Sequence, residues 1–335
     1  MGLCRGDGPG SLTHPDLSRM LYADGKVVTP VYKAKPGQKR VDRATGEVRE
    51  LRADPDAHLH ITGGGEPAYG NKFVLVSCRT PDPHGRMILD LEWVRDVGGE
   101  AKVALRCLGR VAPWVPAARG VLYDGAFRGV HLQEVLHTLG LLPVVPVTAA
   151  SGGKRARKPR EERTVRAEQQ QVTGKDGVAR TVQLYARAGA LGVVELDDAG
   201  EPVFTELERR KLRKCRNADG TWRFYGEYRI PDDLGGGDVR VRLDQTDEDR
   251  RTKFNRTEHL RPFPPSDADY KRLYPRRADA ESINRALDDS MWLGRAHSVG
   301  AKRQLVDLLG FAMMINSLAL HRRRQTLAPP GQRAA

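Results

Sequence analysis

Short runs of β-branched and aromatic residues, broken by Gly, Pro and Asp, occupy the first part of the chain. RMLYADGKVVTPVYKA, from Arg19 to Ala34, has apolar positions on both sides of Asp24-Gly25 and predicts a strand that bends into a hairpin there. KFVLVSCRT follows the Gly63-Gly64-Gly65 loop, and RMILDLEWV follows the turn from Pro81 to Gly85. These two runs sit at hairpin spacing and give, with the first, three antiparallel strands. Glu100 to Val111 has helical periodicity, and GVLYDGAF (Gly120 to Phe127) reads as a short buried strand ending at Asp124. HLQEVLHTL (His131 to Leu139) reads as a helix stopped by Gly140, and LPVVPV as another strand. The order β-β-β-α-β-α-β predicts an α/β fold, a mixed sheet flanked by helices.

At Ser151 the composition changes to SGGKRARKPREERTVR, a Gly-led basic run that reads as a linker or a DNA-facing loop. From Thr181 to Arg242, strand-like runs alternate with Gly and Asp turns around the charged stretch ELERRKLRKCR, which predicts a mainly β insertion. From Tyr274 the pattern turns helical, with Gly294 and Gly300 between two helices. The expected organisation is a disordered lead-in over 1–18, the first part of a core over 19–150, and a basic β-rich insertion over 151–255. A helical remainder of the core over 256–324 and a disordered tail over 325–335 complete it.

The 335 residues include 56 Lys plus Arg against 43 Asp plus Glu, a net charge of +13, which points to a polyanionic partner, nucleic acid ahead of a membrane surface. Lys154, Arg155, Arg157 and Lys158 in one cluster, and Arg209, Arg210, Lys211, Arg213, Lys214 and Arg216 in another, are the candidate phosphate contacts. Hydrophobic residues at 39% exclude disorder throughout. Cys4, Cys78, Cys107 and Cys215 form no C-x-x-C pair, so neither a zinc ribbon nor a disulfide framework is indicated, and a reducing compartment is expected. The N-terminus lacks the apolar segment of a secretory signal. Leu305 to Leu320 carries Asp307 and Asn316, short of the ~20 clean residues of a membrane span. Gly63 to Gly65 lacks the P-loop pattern. His58 and His60 have no spaced partner to complete a zinc site and read as solvated strand histidines. Trp222 reads as core of the insertion, and Met313-Met314 as helix core.

Asp24 lies in the first strand-like unit and Asp124 at a strand end, where a side chain can be aimed into a cleft. A third acid comes from YPRRADAESINRALDD, with Pro275 suited to a first helical turn. At ~100° per residue from Tyr274, Arg277, Glu281, Arg285 and Asp288 fall within about 80° of one another, on the side opposite Ala280, Ile283 and Leu287. Two acids from strands and one from a later helix suit a pair of Mg²⁺ or Mn²⁺ ions ~3.5–4 Å apart, as in-line phosphoryl transfer requires.

With these residues the chain resembles the DDE transposases of bacterial insertion sequences, in the group with a Y-x2-R-x3-E-x6-K signature. Tyr274, Arg277 and Glu281 stand at the required spacing, Asp124-Gly125-Ala126-Phe127 fits the setting of the second acid, and Asp24 in LYADGKVV fits the first, with Asp54 and Asp56 as alternatives. YGNKF (Tyr69 to Phe73) and the closing AKRQLVDLLGFAMMINSLALHRRR are also similar. The resemblance implies an RNase H-like core and two Mg²⁺ or Mn²⁺ ions on Asp24, Asp124 and Glu281, with Tyr274, Arg277 and Arg285 beside the DNA. It also implies cleavage and strand transfer at element ends, double-stranded DNA (ends and target) as partner, a homodimer on DNA, and a nucleoid-associated place in the bacterial cytoplasm. Two departures stand out: Asp288 replaces the lysine, and Asp24 comes too early to leave room for an N-terminal helical DNA-binding domain. A non-catalytic DNA-binding or dimerising remnant is the alternative. A lysine at 288 is expected to tighten DNA binding.

Overall fold

The computed structural model describes residues 11–61, 65–79, 85–147, 163–174 and 177–327. Lys154, Arg155, Arg157, Lys158, the turn at 81–84, residues 1–10 of the expected lead-in and 328–335 of the expected tail lie outside them. Residues 11–18, expected to be disordered, are instead packed, with Thr13 buried and its hydroxyl accepting the N–H of Leu212, and residues 325–327 extend the last helix. In chain order the elements begin with β1 (Met20–Val28), β2 (Lys39–Val41), β3 (Val48–Glu50), β4 (His58–Ile61), β5 (Pro67–Arg79), β6 (Arg86–Val94) and α1 (Glu100–Val111). Next come β7 (Gly120–Leu122), α2 (Gly129–His137), β8 (Leu142–Val144), β9 (Val165–Thr173), β10 (Ala179–Arg187), β11 (Ala190–Leu196) and β12 (Pro202–Glu206). The chain continues through β13 (Glu208–Arg216), β14 (Trp222–Arg229), β15 (Asp238–Arg242), α3 (Asp247–Thr252), α4 (Arg256–His259), α5 (Ala268–Leu273), α6 (Ala278–Ser290) and α7 (Ala301–Leu327). The chain is mixed α/β. The described residues divide into two compact units, 21–116 with 278–327, and 11–20 with 117–277.

In the first unit β5 is the hub: β1 pairs with it antiparallel from Leu21↔Cys78 to Val28↔Asn71, β6 from Lys72↔Val94 to Arg79↔Arg86, and β4 along its first residues. The hairpin expected at Asp24-Gly25 does not form; β1 runs straight through it, with Asp24 opposite Leu75 and Gly25 opposite Val74. A Cβ at Gly25 would collide with the carboxylate of Glu100, so this glycine serves close approach rather than a turn. One face of the strands packs on α6 and α7, where Val28, Phe73, Leu75, Ile88 and Leu91 share a core with Ile283, Leu287, Leu308 and Phe311. α1 lies on the other face, where the Glu100 carboxylate meets Gly25, and covering both faces explains why the central strand β5 reads as a near-continuous apolar run.

Asp54 is fully buried and accepts from Gln304 Nε2 (2.7 Å) and the backbone N–H of Gly300 (3.0 Å), while Asp56 accepts from the N–H of Ala301. Both acids therefore hold the N-terminus of α7, where negative charge is favourable, and neither is an alternative first acid. His60 is buried on β4 rather than solvated, and burial lowers its pKa. Met313 and Met314, expected in the core, are exposed on α7. α7 is long and apolar enough to cross a membrane by length and composition, yet Leu308, Phe311 and Ala312 are built into the core.

In the second unit β7 and β8 are parallel neighbours joined through α2, as a βαβ crossover demands. The strand ends at Leu122, earlier than the sequence suggests, because the chain turns at Asp124. β9 to β12 form a four-stranded antiparallel sheet and β13 to β15 a three-stranded one. Val172, Leu184, Leu191, Tyr228, Val239 and Val241 share a core with Leu260. ELERRKLRKCR is thus largely a strand, not merely a charged run.

Candidate active site and basic surface

Period-two alternation points Asp24 and Lys26 of β1 to the same face, the one that α6 covers. Asn284 Nδ2 donates to Asp24 Oδ2 at 2.7 Å, and Lys26 Nζ donates to Asp288 Oδ2 at 2.5 Å. Two strand residues span ~6.8 Å and four helical residues ~6 Å, so these two pairs set α6 alongside β1 in matching register. Glu281 precedes Asn284 by ~4.5 Å along the helix axis and ~60° around it. The first unit therefore sets Asp24 against Asn284 at a strand–helix seam, and Glu281 stands about one turn before Asn284 on the same helix.

Of the other expected site residues, Arg285 is on α6 in the first unit, while Asp124, Tyr274 and Arg277 belong to the second. Asp124 follows β7 and accepts the N–H of Ala126 at 2.8 Å, closing a tight turn, while the rings of Tyr123 and Phe127 pack 4.2 Å apart in the core. Tyr274 and Arg277 occupy a 3₁₀ turn, where residues three apart eclipse, and Tyr274 stacks on Tyr270. The helical angles drawn from Tyr274 accordingly hold only from Ala278 onward. Arg285 is exposed on α6. Among the described residues no group of three or more His, Cys, Asp and Glu side chains is placed to hold a metal ion. The seam supplies a different donor: Asn284 Oδ1 is buried with no hydrogen-bond partner among the described residues. An orphaned acceptor costs roughly 1–3 kcal/mol unless something meets it. With Asp24, which Asn284 touches, and Glu281 one turn earlier on α6, it is an oxygen of the hard type that Mg²⁺ and Mn²⁺ prefer.

Asp288, read from sequence as a bare carboxylate, is in fact paired with a strand lysine that only the fold reveals. Asp288→Lys is therefore expected to set two ammonium groups against each other and to lower the melting temperature by several degrees. Thermal unfolding checks this, with Asp288→Asn as the milder control.

Basic chemistry concentrates on β13 to β15. One face holds Leu212, Phe224, Tyr228, Val239 and Val241, all buried. The opposite face presents Lys211, Arg213, Arg223, Arg240 and Arg242 around Tyr225, with Arg213 and Arg242 flanking it across both ladders. Glu227 lies between Arg213 and Arg240, whose hydrogen bonds hold its carboxyl below the usual range. Period two in RKLRKCR was the signal for this face, legible only once the run is read as a strand. Of the expected contacts, Lys211 and Arg213 are on the face, Arg210 is exposed and paired with Glu208, and Arg209 is instead a buried structural residue forked onto Asp267 and Asp269.

At the end of the inner face Lys214 Nζ sits 3.7 Å over the Trp222 ring and donates to Gly140 O at 2.5 Å. Trp222 is half-buried under this cation and Arg216, rather than plain core. Burial, with Arg119 and Arg216 nearby, pushes the Lys214 pKa down to about 8. Because the unfolded chain keeps the ordinary 10.5, it binds more protons than the fold between these values, so stability is expected to rise with pH across that window. Chemical denaturation at pH 7.5, 9 and 10.5 measures the slope, and Lys214→Met should flatten it.

The chain matches no known family model and no characterised protein sequence.

Proposed function

We propose that this chain is a metal-dependent DNA transposase that cuts and joins DNA at the ends of an insertion sequence. The observation that carries the reading is the seam of Asp24, Asn284 and Glu281, an arrangement of hard oxygens on rigid elements with one acceptor unsatisfied. Asp24, Glu281 and Asn284 would hold a divalent cation, and Asp124 is the second acid of the motif. Bound Mg²⁺ or Mn²⁺ supplies Lewis-acid stabilisation of phosphodiester oxygens. Asn284 fixes the Asp24 carboxylate through its Nδ2–H, and Lys26 neutralises Asp288 at the far end of the row, which lowers repulsion toward a phosphate. The Arg and Lys face around Tyr225 supplies sequence-independent attraction for duplex DNA, and a net charge of +13 supports it. Such a protein works in the cytoplasm on the nucleoid.

The second reading is a non-catalytic DNA-binding remnant, favoured by the absence, among the described residues, of a three-acid metal group. Incubation with labelled duplex separates the two. Metal-dependent nicking supports the enzyme, and salt-sensitive binding without any nicking in Mg²⁺ or Mn²⁺ supports the remnant.

A further inference from the structure

β6 is the outer strand of its sheet, paired with β5 alone among the described residues. At that edge α1 and α7 leave a cavity of about 290 Å³, which lies entirely within the first unit. Glu92 and Trp93 point to opposite faces of β6, as successive strand residues do, and both line the cavity, so it wraps around the sheet edge. Gly99, Lys102, Val103 and Arg106 stand three or four residues apart and turn one face of α1 to it, while α7 contributes Lys302 and Leu305.

The charges of the wall do not cancel. Burial alone would raise the Glu92 carboxyl, but hydrogen bonds from Arg106 and Arg110 hold it below the usual range and neutralise it. Arg95, Lys102 and Lys302 are exposed and in no ion pair among the described residues; with Asp96 the one other acid of the wall, an excess of two positive charges remains. α1 also begins here. Gly99 caps it without a side-chain hydrogen bond, and Glu100, the acid of its first turn, is paired with Lys72, so the positive end of the helix dipole adds to the excess. The rest of the wall is apolar: half-buried Trp93 with the Arg95 guanidinium 5.4 Å from its ring centre, Val103 and Leu305.

We propose that this cavity binds a mononucleotide, its base against Trp93, Val103 and Leu305 and its phosphate against Lys102, Lys302 and Arg95, independent of the proposed reaction. Charge alone would accept any small oxyanion, and the indole and the room beside it decide between them. A bare phosphate leaves the apolar half of the wall in water, whereas every base has a flat π-face to lay on Trp93. The volume stands at the small end of the range for ligand pockets, with space for one nucleotide and none for a duplex. Arg95 completes the site, because a guanidinium plane stacks on a base as it does on an indole.

Isothermal titration of the full chain, freed of nucleic acid by nuclease and high salt and returned to about 50 mM salt, tests this. The separate probes are adenosine 5′-monophosphate (AMP), adenosine, inorganic phosphate and a short 5′-phosphorylated oligothymidylate. AMP should bind with a Kd below about 1 mM and at least tenfold more tightly than adenosine or phosphate, because only AMP engages both halves of the wall. Lys102→Glu and Lys302→Glu should each weaken AMP at least tenfold, and Trp93→Leu should bring it down to the affinity of phosphate. Both lysines are exposed, so circular dichroism should show their variants folded. AMP that fails to bind at about 5 mM, or that binds the wild type and both lysine variants equally, overturns the inference. So does a chain that takes up the oligonucleotide but not AMP.

Discussion

Replacing Glu281 or Asp24 by alanine is expected to lower the rate of metal-dependent DNA nicking by at least about 10³-fold, equivalent to about 4 kcal/mol of transition-state stabilisation. Duplex affinity should stay within a few-fold of wild type, because the basic face of β13 to β15 that attracts phosphate lies on other elements. Asn284→Ala should give a smaller loss, about 10- to 100-fold, since it removes the clamp on Asp24 and the unsatisfied Oδ1 but leaves both carboxylates. Single-turnover nicking, with gel-shift titration of the same variants, reads both quantities. Equal losses in binding and cleavage would mean that these residues act on the fold rather than on the chemistry.

Arg256→Ala is expected to destabilise the second unit by about 3–5 kcal/mol, the cost of leaving a buried carboxylate unpaired. Arg256 is 3% exposed; its Nε and Nη2 fork onto the two oxygens of Asp249 at 2.7 and 2.9 Å, and its Nη1 donates to Glu168 at 2.6 Å and to the carbonyl of Arg242. Asp249 also closes the first turn of α3 with Thr246, so one guanidinium ties a helix start to β9 and β15. These hydrogen bonds hold the Asp249 carboxyl below its ordinary 3.8. The stabilisation is therefore present above that value and fades as pH falls below it, and acid should unfold the wild type and bring it toward the variant. Urea unfolding at pH 7 and pH 3.5 measures the convergence. A variant within 1 kcal/mol of wild type at pH 7 would show that the site relaxes or admits water.

Apolar runs and turn chemistry made the strands β1, β5 and β6 and the helices α1 and α2 legible, because each carries a buried apolar run and is followed within a few residues by Gly or Pro. Where local signals misled, tertiary contacts had won. Asp24-Gly25 has the composition of a turn, but eight ladder pairs with β5 keep it extended and Glu100 needs the missing Cβ. Asp54 looked like a catalytic alternative, and only the distant Gln304 and Gly300 show that it anchors a helix. Met313 and Met314 followed the helical period of the core, yet the period alone does not say which of two apolar arcs is covered. Of the candidate site, Glu281 and its helix face could be read from YPRRADAESINRALDD. The pairs Asp24 with Asn284 and Lys26 with Asp288 span about 260 residues and leave no local trace.

Asp24 and Glu281 are proposed to hold a metal ion that cuts DNA, and Glu281→Cys tests this most directly. A thiolate is a poor ligand for Mg²⁺ and a better one for Mn²⁺. Labelled duplex should be nicked by the wild type in either metal, left intact by Glu281→Cys in Mg²⁺, and nicked again by Glu281→Cys in Mn²⁺. Nicking by the variant that is equally fast in both metals, or a wild type that cleaves no DNA in either, would contradict it.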